Sequence, residues 1–151
     1  MERPSSKAMS DSSPDALSVP RKPTVSGGSS GGRLLIVDDE PGIAEVVRRA
    51  AAALGIDAKA TFSGQEFITV FDEFRPTVVF LDMVMPDIDG FDIVTWLCDR
   101  KYTNRVLVAS GHDERYARMA EKFGCAGGLD VKFLYKPFRV NDLHKALIGQ
   151  D

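Results

Sequence analysis

Four short apolar runs in this chain each end in residues able to do chemistry. LLIV (34–37) runs into Asp38-Asp39-Glu40, and VVFL (78–81) into Asp82. RVLVA (105–109) leads to Ser110-Gly111, and VKFLY (131–135) to Lys136-Pro137. An acid at the end of a buried run is costly to ionise, so it needs a partner, a metal or a role. If these run ends share one rim, the clustered carboxylates repel one another unless a cation sits among them. Hard oxygen donors without histidine or cysteine favour magnesium, which keeps waters and accepts phosphate oxygens. A lysine and a hydroxyl opposite suit the remaining oxygens of a transferred phosphoryl group. The set has the chemistry of a magnesium-assisted phosphoryl acceptor.

The elements that must position these residues follow from periodicity. The spacing predicts strands at 34–37, 56–60, 78–82, 105–110 and 131–135, and helices at 41–55, 63–74, 89–100, 113–124 and 140–148. The stripe Ile43, Val46, Val47, Ala50 and Leu54 is expected to bury the first helix; Phe67, Ile68, Phe71 and Phe74 the second; Ile93, Val94, Trp96 and Leu97 the third. Gly55 is a stop for the first helix, and Asp89 an N-cap for the third. Strict strand–helix alternation predicts an α/β fold with a central parallel sheet covered on both faces. Functional groups then gather at the carboxyl ends of the strands.

The 151 residues suffice for one ordinary domain, with 44% hydrophobic and 27% charged residues, a globular balance. A formal net charge of −3 suggests no nucleic-acid partner, and no basic reading helix is present. No run spans a membrane and no signal peptide is seen. Cys98 and Cys125 lack zinc-site spacing and are expected as buried free thiols, which suits the cytoplasm. Residues 1–32 are more than half serine, proline and glycine, ending in SGGSSGG, and are expected to be a disordered tail ahead of a domain at 33–149.

LLIVDDE (34–40), FLDMVMPDIDGFD (80–92), VASG (108–111) and YKPF (135–138) together resemble the receiver domain of two-component response regulators. The resemblance covers residues 33–149 and implies a flavodoxin-like doubly wound sheet of order 2-1-3-4-5 with five helices. It makes Asp82 the phosphoacceptor, fed by a sensor histidine kinase or a histidine phosphotransfer protein. It gives Mg2+ to Asp38, Asp39, Asp82 and the backbone carbonyl of Val84. Lys136 pairs with the phosphoryl group, Ser110 hydrogen-bonds it, and Pro137 matches a cis-bonded proline that aims the lysine. Phe133 takes the position of the switch aromatic, though an ordinary core phenylalanine fits there too. Tyr135 is expected on the opposite strand face and is given no part in the switch. His112 and Val84 stand where the family tunes phosphoryl lifetime; an exposed helix-start residue is the plainer account of His112. Output is expected through an unidentified downstream protein, with a homodimer left open.

Other accounts fit fewer residues. Asp38-Asp39 ahead of Pro41 also reads as a helix cap. A haloacid-dehalogenase-type phosphatase shares the strand-end aspartate and magnesium but needs a second acid at position 84, which is Val84. A flavodoxin-type cofactor protein needs a Ser/Thr-rich loop where DDEPG stands, and a degenerate scaffold usually loses an acid or the lysine. Asp87 and Asp89 are assigned no catalytic role. The segment from Ser110 to Lys136 is longer than the family usual. The surplus falls in 123–131, which predicts an extended fourth helix or a rebuilt exit loop.

Overall fold

The computed structural model describes residues 32–111 and 114–149. Apart from Gly32, the expected tail lies outside the described residues, as does His112. Ten elements alternate: β1 (Arg33–Val37), α1 (Pro41–Ala53), β2 (Asp57–Thr61), α2 (Gly64–Phe74), β3 (Val78–Asp82), α3 (Gly90–Asp99), β4 (Arg105–Ser110), α4 (Glu114–Ala126), β5 (Asp130–Tyr135) and α5 (Val140–Leu147). The strands form one parallel sheet in the order β2-β1-β3-β4-β5, as the resemblance implied. Burial explains the order. β3 is buried at every position, and β1 and β4 at all but the first, so these three take the interior. β2 and β5 keep exposed positions and lie at the edges.

Alternate residues feed two cores. Leu35, Val37, Val79, Leu81, Val106 and Val108 pack beneath α2, α3 and α4. Leu34, Ile36, Val78, Phe80, Leu107 and Ala109 pack beneath α1 and α5. α1 meets its core through Ala44, Val47, Ala50 and Ala51. The expected stripe is therefore rotated: Ile43 is half-buried and Val46 exposed. Small alanines let this helix lie close to the sheet, and Ile43 and Val46 are turned toward Lys136. The other two stripes are partly corrected as well, with Ile68, Phe74 and Trp96 only half-buried.

The surplus between Ser110 and Lys136 is taken up in α4 and its exit. The helix does not stop at Gly124 but runs to Ala126, and Gly124 sits inside it. A Cβ there would come within 2.8 Å of Val131 and 3.3 Å of Val94, so the glycine serves close packing. The true stop is Gly128 at φ 96°, where Leu129 N–H donates to Gly124 O and Gly128 N–H to Cys125 O. This geometry also corrects the cysteine expectation. Cys125 is exposed on the last turn, and Cys98 is half-buried with its sulfur against Gly127.

Candidate functional site

The sheet register assembles the acidic rim. β1 and β3 pair with Val37 opposite Leu81, so the next residues, Asp38 and Asp82, emerge level with each other on adjacent strands. Both share the strand parity of the α1/α5 core. Asp38 is fully buried, Asp82 nearly so, and Asp39 exposed. The three offer carboxylate oxygens within 4.8 Å of one another. α1 has no side-chain cap; Asp38 Oδ1 instead accepts from Glu40 N–H at 2.9 Å. The helix-cap account of Asp38-Asp39 is therefore not how α1 begins.

Lys136 reaches this cluster from the edge strand. β5 pairs with β4 through Ser110 and Tyr135, and Lys136 N–H donates to Ser110 O at 3.0 Å. Lys136 Nζ then stands 3.0 Å from Asp38 Oδ2, 3.2 Å from Asp82 Oδ1 and 3.7 Å from Glu40. Gly111 leaves its path clear, since a Cβ there would stand 3.2 Å from Lys136 Cβ. The Lys136–Pro137 peptide is cis. Ser110 ends β4 buried, one position beyond Ala109, the register partner of Asp82.

Electrostatics at the rim are under tension. Burial, with the neighbouring charge of Asp38, pushes the Asp82 carboxyl up to about 6, although Lys136 and the Val84 N–H oppose the shift. Burial works against the Lys136 charge too. Its hydrogen bond to Asp38 and the charges of Asp82 and Asp38 outweigh that and hold it above the usual lysine value. Three carboxylates facing one ammonium leave room for a further cation. The donor set is all oxygen, which fits magnesium.

The loop after Asp82 alternates inward and outward. Met83 and Met85 are buried, and Val84 between them is exposed, with its N–H 3.4 Å from Asp82 Oδ1. Asp89 caps α3 by accepting from Asp92 N–H. Phe133 is half-buried against the α4 core, and the Arg118 guanidinium lies 4.9 Å from its ring centroid. Tyr135 is not on the opposite face. Residues two apart in a strand share a side, and the two rings meet edge-on with centroids 4.6 Å apart. Two participants were not visible from spacing. Arg118 covers the aromatic and Asp87 bonds to α2; each depends on a contact supplied by another element. A groove of about 600 Å3 opens beside Lys136 and Pro137, walled by Ile43, Val46 and Phe138.

Residues 34–148 match the response regulator receiver domain. The chain belongs to that family. Receiver domains are phosphoacceptor switches of two-component signalling rather than classical enzymes, and they bind Mg2+ at an acidic pocket. This receiver is 32% identical over 117 residues to the transcriptional regulatory protein TrcR of Mycobacterium tuberculosis, covering 78% of the chain and 44% of TrcR. It is 34% identical to the positive alginate biosynthesis regulatory protein of Pseudomonas aeruginosa, covering 76% of the chain and 45% of that protein. The chain thus spans less than half the length of either regulator. Among solved structures, the Francisella response regulator 1452 receiver domain superposes with a TM-score of 0.66 at 25% identity, covering 78% of this chain and 93% of that one. A response regulator receiver domain protein from Clostridium thermocellum gives 0.69 at 26%, covering 78% and 92%. No helix among the described residues is long and apolar enough to cross a membrane.

Proposed function

We propose that residues 33–149 form a phosphorylatable switch in which Asp82 accepts a phosphoryl group from a phosphohistidine on a sensor histidine kinase or a histidine phosphotransfer protein. The observation that carries this reading is Lys136 Nζ at 3.0 Å and 3.2 Å from Asp38 and Asp82, inside a set of three convergent carboxylates. In the transfer, the bond from phosphorus to the donor imidazole nitrogen breaks and a bond to an Asp82 carboxylate oxygen forms. The imidazole keeps the electron pair and later takes a proton from water.

Asp38, Asp39, Asp82 and the Val84 carbonyl would hold magnesium, which when bound supplies positive charge against the carboxylates and phosphoryl oxygens. The chain's own groups do the rest by position and charge. Lys136 is already aimed at Asp82 and holds one phosphoryl oxygen. Ser110 donates its hydroxyl to another, which draws the end of β4 inward. Phe133 follows by repacking, since it has no hydroxyl to bond. Val84, exposed beside Asp82, and His112, by its place in the sequence, set how readily water reaches the acyl phosphate. Phosphorylation then shifts a pre-existing equilibrium by an energy on the order of a few kcal/mol. Output passes by protein contact to a downstream partner or a second copy, without nucleic-acid contact by these residues.

Intact-protein mass after incubation with acetyl phosphate tests the reading. One phosphoryl group should be gained with magnesium, and none without it or in Asp82→Asn. Beryllofluoride binding covers the case of rapid hydrolysis. Failure of both assays in the unaltered chain would overturn the proposal.

A further inference from the structure

The loop that presents Val84 is fastened to a helix far from it in sequence. Asp87 Oδ1 accepts from Gly64 N–H at 3.1 Å and Oδ2 from Gln65 N–H at 3.0 Å, the first two amides of α2. These donors, Gln65 first, with the Ile88 amide, hold the Asp87 carboxyl below the usual carboxylate range although the side chain is exposed. The third amide of α2, Glu66 N–H, is taken by Ser63 Oγ at 3.1 Å. Local capping is therefore supplied from within the helix's own segment, and the Asp87 bonds join two separate elements.

Packing follows the same line. Ile88 lies so close over Gly64 that a Cβ at that glycine would come within 2.6 Å of it. Met85 is buried between Val84 and Asp87, and Gly90 leaves no room for a side chain against Met83. α2 is itself anchored by Phe67 and Phe71 in the core. The loop is thus held at Met83, Met85 and Asp87, and between these supports Val84 faces outward beside Asp82.

We infer that Asp87 is a positioning residue for the metal site, clamping the 83–89 loop to the N-terminus of α2 so that the backbone at Val84 is held in place for the ion that the acidic cluster would take. This rests on the magnesium reading above. Aspartate supplies two oxygens to two adjacent amides, and the positive end of the helix favours its charge. Without the clamp, the apolar contacts of Met83, Met85 and Ile88 remain but the loop loses its polar tie to α2, and the carbonyl has to be ordered when the ion binds.

The test is calorimetric titration of the full chain with Mg2+ and no phosphodonor, beside thermal melts. Asp87→Ala should weaken magnesium binding about tenfold, the scale seen when a group supporting a metal ligand is lost. Asp87→Asn keeps one acceptor oxygen and should recover part of the affinity. Ser63→Ala removes a cap from the same helix without touching the loop, so it should lower the melting temperature and leave magnesium affinity unchanged. If Asp87→Ala binds magnesium like the unaltered chain, or if Ser63→Ala weakens binding equally, Asp87 is only a cap and the inference is overturned. Absence of magnesium binding in the unaltered chain would sink both this inference and the reading beneath it, a result distinct from either.

Discussion

Asp82 has a side chain only 7% exposed beside the buried Asp38, and its carboxyl is pushed up to about 6. An acid whose folded value lies above its ordinary value binds its proton more tightly in the folded state. Its contribution to stability is then fully present below the ordinary value near 3.8 and is lost as pH rises through about 6. At pH 7.5 and without a cation, the ionised Asp82 therefore costs stability, on the order of 3 kcal/mol. Asp82→Asn removes that cost and leaves Lys136 its pairing with Asp38. The variant should melt a few degrees above the unaltered chain in chelator at pH 7.5. The gap should close at pH 4, and also when magnesium is added to the unaltered chain. A variant that melts lower in chelator at pH 7.5 would show that Lys136 already satisfies Asp82. The convergence of Asp38, Asp82 and Lys136 was legible in the sequence because each ends an apolar run and parallel strands bring such ends to one edge. Asp87 was not, because its partners lie 22 and 23 residues away and are bare backbone amides that no side-chain pattern marks.

Helices α1, α3 and α4 end alike, an exit-turn amide bonding back five residues: Ile56 N–H to Ala51 O, Tyr102 N–H to Leu97 O and Leu129 N–H to Gly124 O. α1 places Gly55 at φ 77° and α4 places Gly128 at φ 96° in the left-handed position, but α3 places Lys101 there at φ 60°. Tyr102 holds that turn: its N–H donates to Leu97 O, its hydroxyl to Pro76 O, and its ring packs edge-on against Phe71. A side chain in the left-handed region costs about 1 kcal/mol that glycine does not. Lys101→Gly should therefore raise the urea midpoint, with stability up by about 1 kcal/mol at unchanged m-value. Unchanged or lower stability would mean that the anchored Tyr102 already absorbs the strain. The same comparison shows what a sequence reveals of helix ends. Gly55 was legible as a stop because it follows its apolar stripe and serves by its backbone freedom. Gly124, where the predicted fourth helix ended, is not a stop, since it answers to Val131 across the α4–β5 contact. Tyr135 shows that strand parity carries information only when it is counted correctly: it lies beside Phe133, and both are reached from α4.

Across the whole molecule, the parallel sheet gathers the reactive groups at one rim and leaves two different surfaces flanking it. On one side, α4 and β5 leave Met119 and Tyr135 exposed, with Tyr135 against the Arg118-covered Phe133 that is proposed to respond to phosphorylation. On the other, α1 carries the groove beside Lys136, and Val46 stands exposed on its wall because alanines occupy the buried face of that helix. A small donor such as acetyl phosphate needs only the rim. A protein donor has to hold its phosphohistidine over Asp82 while its bulk rests on a neighbouring surface, and the apolar groove adjoins Lys136 directly. A carboxylate at position 46 would have to be desolvated in that contact, and the apolar burial of valine would be lost, together about 1.5–3 kcal/mol. Val46→Asp should therefore slow transfer from any autophosphorylated kinase or phosphotransfer protein that labels the unaltered chain, by tenfold or more at about 1.4 kcal/mol per tenfold. Its rate of labelling by acetyl phosphate should be unchanged, because no side chain of the acidic cluster has moved. Equal slowing with both donors would place the effect in the fold of α1, and an unchanged rate with both would move the protein donor's footing off this groove.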